Sequence, residues 1–202
     1  MNKLDQMFEK STTPADYAKD YNQYLVKILS AIESDAFNDY IQLLLDVAKS
    51  GKTIYIIGNG GSAATASHYA NDISFGVKSV SCGLKAISLT DNNAVLTALG
   101  NDYGYEYIFS KQLEKIMVEG DILIAISASG NSENIVKAVD FVRSVGNKTV
   151  GISGFDGGYL AEHSDVSLLV SSNKGEYGPV EDVHSIIGHI TGTYLARHFS
   201  CE

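Results

Sequence analysis

The chain has 202 residues, of which 45% are hydrophobic and 19% are charged, a length and composition that suit one globular domain and leave no room for a second. Its formal net charge of −9 disfavours non-specific binding to nucleic acid or to anionic membranes, because both would repel the surface. With only Cys82 and Cys201, acidic residues in its first twenty positions and no long apolar run, the chain lacks the features of a secreted disulfide scaffold or a membrane protein, so we expect it in the cytoplasm.

The first predicted element is a pair of helices between Ala15 and Lys49. Apolar residues recur there at helical spacing, at Leu25, Ile28, Leu29, Ile32, Phe37, Ile41, Leu44, Leu45 and Val47. A sheet does not need such a hairpin to close its own core, so the hairpin is expected to cover a sheet edge or to pack against another subunit. We assign residues 1–50 to this helical hairpin and residues 51–202 to the remainder of the same domain.

Strand-like and helix-like segments alternate from residue 51 onward. The continuously apolar runs predict strands at Thr53–Ile57, Lys85–Leu89, Ile122–Ile126, Lys148–Ile152 and Val166–Val170. Helical patterns lie at Ser62–Ile73, Asn92–Leu99, Ile108–Ile116, Asn131–Val145 and Asp182–Phe199, the last directly after Pro179. Unbroken apolarity is typical of strands covered on both faces. The pattern therefore predicts an α/β fold with a doubly wound, five-stranded parallel sheet.

The segment after the first predicted strand reads Gly58-Asn59-Gly60-Gly61-Ser62 and leads directly into a helix. Glycines let the backbone approach a ligand closely, and the amides at a helix start attract anions. The dinucleotide-binding fingerprint needs a third, separated glycine, which is missing here. The segment therefore predicts an anion-binding turn, with a tight turn capped by serine as the alternative.

A second turn of this kind follows the third predicted strand and reads Ile126-Ser127-Ala128-Ser129-Gly130-Asn131-Ser132. Three hydroxyl groups and the amides of one helix start can satisfy several phosphate oxygens without a lysine. Neither turn ends in the Gly-Lys-Ser/Thr of a P-loop, which argues against nucleotide hydrolysis. We therefore predict a site for a phosphomonoester, with a simple helix cap as the alternative.

Two pairs of polar residues lie on the helix after the first turn and on the last helix. His68 and Asp72 are four residues apart and share one helix face. Glu181 and His189 are about two turns apart. Together they offer nitrogen and oxygen atoms suited to zinc, whereas a surface hydrogen bond is the alternative for the first pair.

The remaining histidines and a cluster of tyrosines are interpreted as structural. His184 shares the last helix with the polar pair and is expected to pack within the protein rather than to act in the site. His163 and His198 have no identifiable convergent partners. Packing is also expected of three tyrosines that surround Asn101 and Asp102, namely Tyr103, Tyr105 and Tyr107.

The sequence resembles the SIS (sugar isomerase) domain family, and most closely its phosphoheptose isomerase branch. Five segments carry the resemblance: the two turns described above, Gly100-Asn101-Asp102-Tyr103-Gly104, Gly154-Phe155-Asp156-Gly157-Gly158 and Glu181-Asp182-Val183-His184. The serine-rich turn is specific to the family, whereas the first turn and the last segment are typical of the branch. The resemblance implies an SIS-type, flavodoxin-like fold and an enzyme that interconverts an aldose and a ketose phosphate.

The same resemblance implies the residues that contact the substrate. They are Asn59, Gly60, Gly61, Ser62, Asp72, Asn101, Asp102, Ser127, Ala128, Ser129, Ser132 and Glu181. Within this set the three serines of the second turn would hold the phosphate, with Ala128 in place of the usual threonine. The first turn would face the sugar, and Asn101 with Asp102 would lie near its hydroxyl groups.

Zinc ligands and catalytic groups are also implied, at His68, Asp72, Glu181 and His189. Asp72 stands where a glutamate is usual, and Glu181 where a glutamine is usual. An aldose–ketose isomerase needs two acid/base groups and an electrophile. We assign proton transfer to Asp72 and His189, and polarisation of the sugar oxygens to zinc. A tightly bound ligand cannot act freely as a base, so either one ligand leaves the metal during turnover or only one of these two residues transfers protons.

The resemblance implies sedoheptulose 7-phosphate as the leading substrate. Another ketose phosphate is the second candidate, because the chain departs from close relatives at several positions, Gly178 among them. The relatives are tetramers with sites between subunits, so we expect a homotetramer whose polar residues converge partly across an interface. The alternative of a different class is a non-catalytic phosphosugar-binding or adaptor protein that associates with the replication initiator. Retention of the four polar residues together favours the enzyme.

Overall fold

The computed structural model describes residues 2–76 and 84–200. In chain order its helices and strands are α1 (Lys3–Lys10), α2 (Pro14–Leu29), α3 (Ser34–Ser50), β1 (Thr53–Gly58), α4 (Gly61–Asn71), β2 (Lys85–Ser88), α5 (Asn93–Tyr103), α6 (Ser110–Ile116), β3 (Ile122–Ser127), α7 (Glu133–Ser144), β4 (Lys148–Phe155), α8 (Gly158–His163), β5 (Val166–Ser171) and α9 (Tyr177–His198). The two cysteines, Cys82 and Cys201, lie outside the described residues.

The strands form one parallel sheet in the order β2-β1-β3-β4-β5, which confirms the predicted doubly wound, flavodoxin-like fold. All six residues of β3, the central strand, are buried, as continuous apolarity predicts for a strand covered on both faces. The order of the strands reverses between β1 and β3, because β2 lies on one side of β1 and the later strands lie on the other. In such sheets the carboxyl ends of the two strands at this point open a crevice that binds ligands.

Two hydrophobic cores lie on opposite faces of the sheet. One joins alternate residues of the strands to apolar residues of α2, α3, α4 and α9, and the other joins the remaining strand residues to α6, α7 and α8. The predicted hairpin is present as α2 and α3. Both helices contact the edge strand β5, and α2 also packs against α9. The hairpin thus packs on the same face of the sheet as α4 and α9, next to the edge strand.

Several elements differ from the sequence prediction, and three of the differences are in helices that carry predicted site residues. Helix α9 begins at Tyr177, so Pro179 lies within its first turn, where a missing amide hydrogen is tolerated. Helix α5 extends to Tyr103, so Asn101 and Asp102 lie in its last turn rather than in a loop. Helix α4 ends at Asn71 and continues as one π-helical turn, Asp72–Gly76. Such turns are often found at functional sites.

The short helix α1 has no counterpart in the sequence prediction. Its start is capped by Asn2 and Asp5, which form a reciprocal capping box. None of the helices in the described ranges is both long and apolar enough to cross a membrane.

Candidate active site

A cavity of about 140 Å³ opens at the carboxyl end of the sheet, between the first and second predicted turns. Its lining includes residues from β3 and its following turn, from the start of α4 and from the start of α9. These residues are Asn59, Ser62, Ile126, Ser127, Ala128, Ser129, Ser132, Tyr177 and Glu181. The structure thus brings together seven of the predicted substrate-contacting residues, at the place where a sheet of this topology binds ligands.

The serines of the second turn occupy distinct positions around this cavity. Ser127 ends β3, and its hydroxyl accepts a hydrogen bond from the Gly130 amide at 3.2 Å. The Ser129 hydroxyl accepts one from the Asn131 amide at 3.3 Å. Ser132 is the N-cap of α7, yet within the described chain its side chain makes no capping hydrogen bond. Its hydroxyl therefore remains available to a ligand at a helix start, where anions are favoured.

The segment from the end of β4 to α8 forms backbone hydrogen bonds with the serine-rich turn. The Gly154 amide donates to the Ala128 carbonyl at 3.1 Å, and the Leu160 amide donates to the Gly130 carbonyl at 3.0 Å. Gly130 has φ +65°, and a Cβ added there would lie 1.9 Å from the carbonyl oxygen of Gly157. Only glycine fits this position. The Gly154–Gly158 segment, which contributes to the family resemblance, thus fixes the backbone of the serine-rich turn.

Asn59 of the first turn is held by two residues that the sequence analysis did not assign to the site. Its side-chain amide pairs with that of Asn134 on α7, through two hydrogen bonds of 2.9 Å. The Tyr105 hydroxyl also donates to the Asn59 Oδ1 at 2.9 Å. Asn134 is buried, so this pair joins the first turn to the start of the helix that follows the second turn. Tyr105, interpreted from the sequence as packing, instead lies at the rim of the site.

Glu181 reaches the cavity from α9 and contacts the start of α4. A Cβ added to Gly61 would lie 2.5 Å from the Glu181 Oε2, so the glycine makes room for the carboxylate. Gly60, the N-cap of α4, has φ +53° and, like Gly61, does not belong to the cavity lining among the described residues. The first turn therefore contributes its side chains Asn59 and Ser62 to the cavity, while its glycines provide space and curvature.

A second polar group lies farther along α4 and α9. His68, Asp72 and His189 each offer a ligand atom, and these atoms all lie within 4.8 Å of one another. The His68 Nε2 is 3.5 Å from the Asp72 Oδ2, and the two imidazole rings are 4.9 Å apart in an edge-to-face arrangement. Two imidazole nitrogens and one carboxylate form a donor set that zinc prefers. The pairing of His68 with Asp72, predicted from their spacing, is present.

Close packing of α4 on α9 produces this convergence. Asp72 lies beside Gly192, where an added Cβ would come within 3.2 Å of the aspartate Cβ. One turn earlier, the Tyr69 ring lies against Gly188, and its hydroxyl donates to the backbone carbonyl of His184. Glycines four residues apart on α9 therefore form a groove that receives α4.

One predicted metal ligand, Glu181, lies apart from this polar group, and two predicted substrate contacts, Asn101 and Asp102, lie apart from both the group and the cavity. Among the described residues the group contains His68, Asp72 and His189 but not Glu181, which is eight positions before His189 and so about 12 Å away along the helix axis. Asn101 and Asp102 are exposed on α5, bond to each other at 2.9 Å and do not line the described cavity. Helix α5 runs four residues beyond the predicted Leu99 and so includes both of them.

His184 is fully buried, as predicted for a packing residue. Its Nε2 bonds to the Ser153 carbonyl at 3.2 Å, and burial lowers its pKa to about 4 despite that hydrogen bond. Its Nδ1 has no hydrogen-bond partner within the described chain. His163, by contrast, stacks on Tyr159 with ring centroids 3.7 Å apart.

Comparison with known proteins yields one family model and many relatives. The model of the SIS domain matches residues 16–154. The chain is 36% identical to the phosphoheptose isomerase of Aliarcobacter butzleri over 169 residues, which cover 84% of this chain and 88% of the relative. It is 39% identical to that of Helicobacter pylori strain Shi470 over 160 residues, covering 79% and 82% of the two chains.

Solved structures give the same result. The phosphoheptose isomerase of Neisseria gonorrhoeae superposes with a TM-score of 0.75 at 31% identity, over 90% of this chain and 95% of the other. That of Francisella tularensis superposes with a TM-score of 0.79 at 26% identity, over 98% and 100% of the two chains. Likeness therefore extends over the whole domain, hairpin included.

Proposed function

Because the chain belongs to the SIS domain family and is a sugar-phosphate isomerase related to the phosphoheptose isomerases, we propose that it converts sedoheptulose 7-phosphate to a heptose 7-phosphate. One observation carries this proposal. The hydroxyl-lined cavity and the His68, Asp72 and His189 group lie along the same pair of helices, α4 and α9. Tyr69 packs on Gly188 between these two places, so we propose that a sugar held by its phosphate in the cavity meets the polar group at a subunit interface of the homotetramer implied by the resemblance.

The serine-rich turn binds the phosphate in this proposal. The hydroxyls of Ser127, Ser129 and Ser132 donate to its oxygens, and the start of α7 contributes a favourable dipole. Asn59 and Ser62 contact the adjoining part of the sugar. Asn101 and Asp102, implied by resemblance to approach the sugar hydroxyls, are exposed at the end of α5, so we keep this role as a proposal that a ligand-bound oligomer must test.

Asp72 and His189 carry the protons. One of them removes a proton from carbon 1 of the ketose, which forms an enediol, and a proton is returned to carbon 2. The other moves a proton between the two sugar oxygens, so the net change is an isomerisation with no loss or gain of atoms. Both side chains belong to the same polar group, within reach of one pair of adjacent carbons and their oxygens.

Zinc fits the donors of His68, Asp72 and His189, and when bound it would polarise the sugar oxygens. Because a bound ligand cannot act freely as a base, the residue that takes the proton from carbon 1 would have to be released from the metal during turnover. Glu181 was predicted as a fourth ligand. Within one chain it lies about 12 Å from His189 along α9, so its participation requires a neighbouring subunit. We therefore propose that Glu181 lines the phosphate cavity of its own chain, and that it meets the metal only in the homotetramer implied by the resemblance. A cytoplasmic location remains a prediction from the sequence.

The test is a panel of ketose phosphates assayed with added zinc, without it and after chelation, with detection of the aldose product. We expect turnover of sedoheptulose 7-phosphate that is lost on chelation and restored by zinc. Turnover that is insensitive to chelators would contradict the metal assignment, and turnover of another ketose phosphate alone would reassign the substrate. Absence of turnover on every sugar would instead favour the phosphosugar-binding adaptor.

A further inference from the structure

Glu176, the residue before α9, has a buried carboxylate surrounded by donors from three segments. It accepts hydrogen bonds from the Lys3 amide of α1 and from the Tyr24 hydroxyl of α2, both at 2.5 Å. From its own loop it accepts the Asn173 amide at 3.1 Å and the Asn173 side chain at 2.8 Å. A fully buried carboxylate is costly unless its oxygens are satisfied, and here four donors satisfy them.

A second tyrosine on the same face of α2 makes a parallel contact. Tyr21 precedes Tyr24 by three residues, and its hydroxyl donates to the Asp182 Oδ2 at 2.6 Å. Two carboxylates that flank the first turns of α9 are thus each bound by a tyrosine of the N-terminal hairpin. We call these four residues, Tyr21, Tyr24, Glu176 and Asp182, the tyrosine clamp.

The start of α9 has little stability of its own. Its N-cap, Glu176, makes no side-chain capping bond to the helix in the described structure, and its first turn contains no acidic residue. Gly178 lies in that turn, and glycine is among the weakest helix formers. Tertiary contacts must therefore hold this turn in place.

The start of α9 supplies side chains to the phosphate cavity. Tyr177 lines it from the first turn and Glu181 from directly after that turn, and the Tyr177 ring packs edge-to-face on Phe155 with centroids 5.1 Å apart. We propose that Glu176 and Tyr24 are positioning residues, which set the phosphate affinity of the site by fixing the first turn of α9. The proposal rests on the proposed function, because it assumes that this cavity binds the substrate phosphate.

The clamp is expected to act on binding rather than on proton transfer. His189 lies about three turns beyond Tyr177 and is held by the separate packing of Gly188 on Tyr69. Loosening the first turn of α9 therefore weakens the hold on the phosphate but leaves Asp72 and His189 in place. Such a change raises KM and leaves kcat nearly unchanged.

The experiment compares Tyr24→Phe and Glu176→Gln with the matched control Tyr17→Phe. Tyr17 lies on the same helix, its ring contacts Phe8 and Tyr21, and its conversion to phenylalanine keeps that ring. Glu176→Gln keeps the shape of the side chain and replaces one acceptor oxygen by a donor that faces other donors. We expect both clamp variants to raise KM for the ketose phosphate about tenfold, with kcat changed less than about twofold, and the control to match the parent.

Binding of inorganic phosphate, measured by its effect on the melting temperature, provides the second readout. We expect the half-saturating phosphate concentration to rise in the clamp variants and not in Tyr17→Phe. This measurement needs no turnover, so it still tests the clamp if the parent isomerises none of the sugars offered. A parent that binds no phosphate would overturn both the clamp and the proposed site.

A purely structural role gives a different result. It would lower the melting temperature and the fraction of active enzyme, hence the apparent kcat, without a change in KM or in phosphate affinity, and that outcome would overturn the proposal. Tyr21→Phe serves if the buried variants do not fold, because the Tyr21–Asp182 contact lies near the surface. It should raise KM in the same direction, and an unchanged KM in this variant would contradict the clamp.

Discussion

Gly188 on α9 lies directly against the ring of Tyr69 on α4, and a Cβ added to the glycine would come within 1.8 Å of the tyrosine Cε1. The distance between the two helices is therefore set by the absence of one methyl group. Both helices carry members of the polar group, His68 and Asp72 on one side and His189 on the other. The arrangement of the proposed catalytic residues thus depends on a glycine that has no side chain to take part in the chemistry.

Gly188→Ala should consequently destabilise the fold and impair catalysis together. The added methyl forces α4 away from α9, and overpacking of this kind costs about 1 to 3 kcal/mol or more of unfolding free energy. We expect kcat to fall at least about tenfold, since small displacements matter in positioned chemistry. Urea unfolding and steady-state kinetics measure the two effects. Gly100→Ala is the control: its Cβ would meet only ordinary contact at 3.8 Å, and it should be neutral or stabilising.

Asp72→Asn and His189→Ala should each lower kcat by about 10² to 10⁴-fold, the range typical of a lost acid or base. Phosphate binding should persist in both variants, because the serine-rich turn is unchanged. Steady-state kinetics and the phosphate-dependent shift of the melting temperature measure the two properties separately. Asp46→Asn, on the exposed surface of α3, is the matched control. Full activity of either site variant would remove that residue from the mechanism.

Ser132→Ala should weaken substrate binding with little cost to folding. Replacing a serine N-cap usually costs about 1 kcal/mol, but the Ser132 side chain makes no capping bond within the described chain, so we expect less than about 0.5 kcal/mol. A lost hydrogen bond to a charged phosphate should raise KM about tenfold or more. Ser144→Ala, at the opposite end of α7, is the control for both measurements. A stability loss without a KM change would show that Ser132 acts as a cap.

His184 should make the protein less stable in mild acid. Burial lowers its pKa to about 4 in the folded protein, below the value of about 6.5 in the unfolded chain. Between these values the unfolded chain binds more protons, so stability is complete above about pH 6.5 and falls as the pH drops toward 4. The two pKa values correspond to a loss of about 3 kcal/mol.

Urea unfolding at several pH values between 7 and 4.5 tests this expectation. His184→Gln can keep the hydrogen bond to the Ser153 carbonyl but does not titrate, so its unfolding free energy should depend less on pH than that of the parent. His163→Gln, which alters a partly exposed histidine stacked on Tyr159, should retain the pH dependence of the parent. An unchanged slope in His184→Gln would assign the acid sensitivity elsewhere.

Periodicity and apolarity were sufficient to predict the sheet and most helices. The predicted strand Thr53–Ile57 differs from β1 by only one residue. The prediction is accurate here because a short, continuously apolar run is typical of a strand buried on both faces of a sheet. Strand β4 continues three residues past the predicted Ile152. Those residues include Ser153 and Gly154, which pair with β5 through their backbones and carry no strand signal in their side chains.

The site was less accessible from the sequence, because its members meet only after folding. Asn134 sits on a helix with no local feature that distinguishes it, and its role depends on the distant Asn59. The separation of Glu181 from His189 could have been foreseen, since eight helical residues span about 12 Å. Gly188 and Gly192 also gave a signal, because small residues four apart on a long helix favour close packing with a neighbour.

The contact between Gly130 and Gly157 has a consequence for how this enzyme can be changed. Two loops from different crossovers fit together so tightly that neither can accept a side chain at these positions or shift alone. An insertion in the loop after β4 would therefore alter phosphate affinity although it touches no ligand. Any attempt to transplant the serine-rich loop into another protein has to move both loops as one unit.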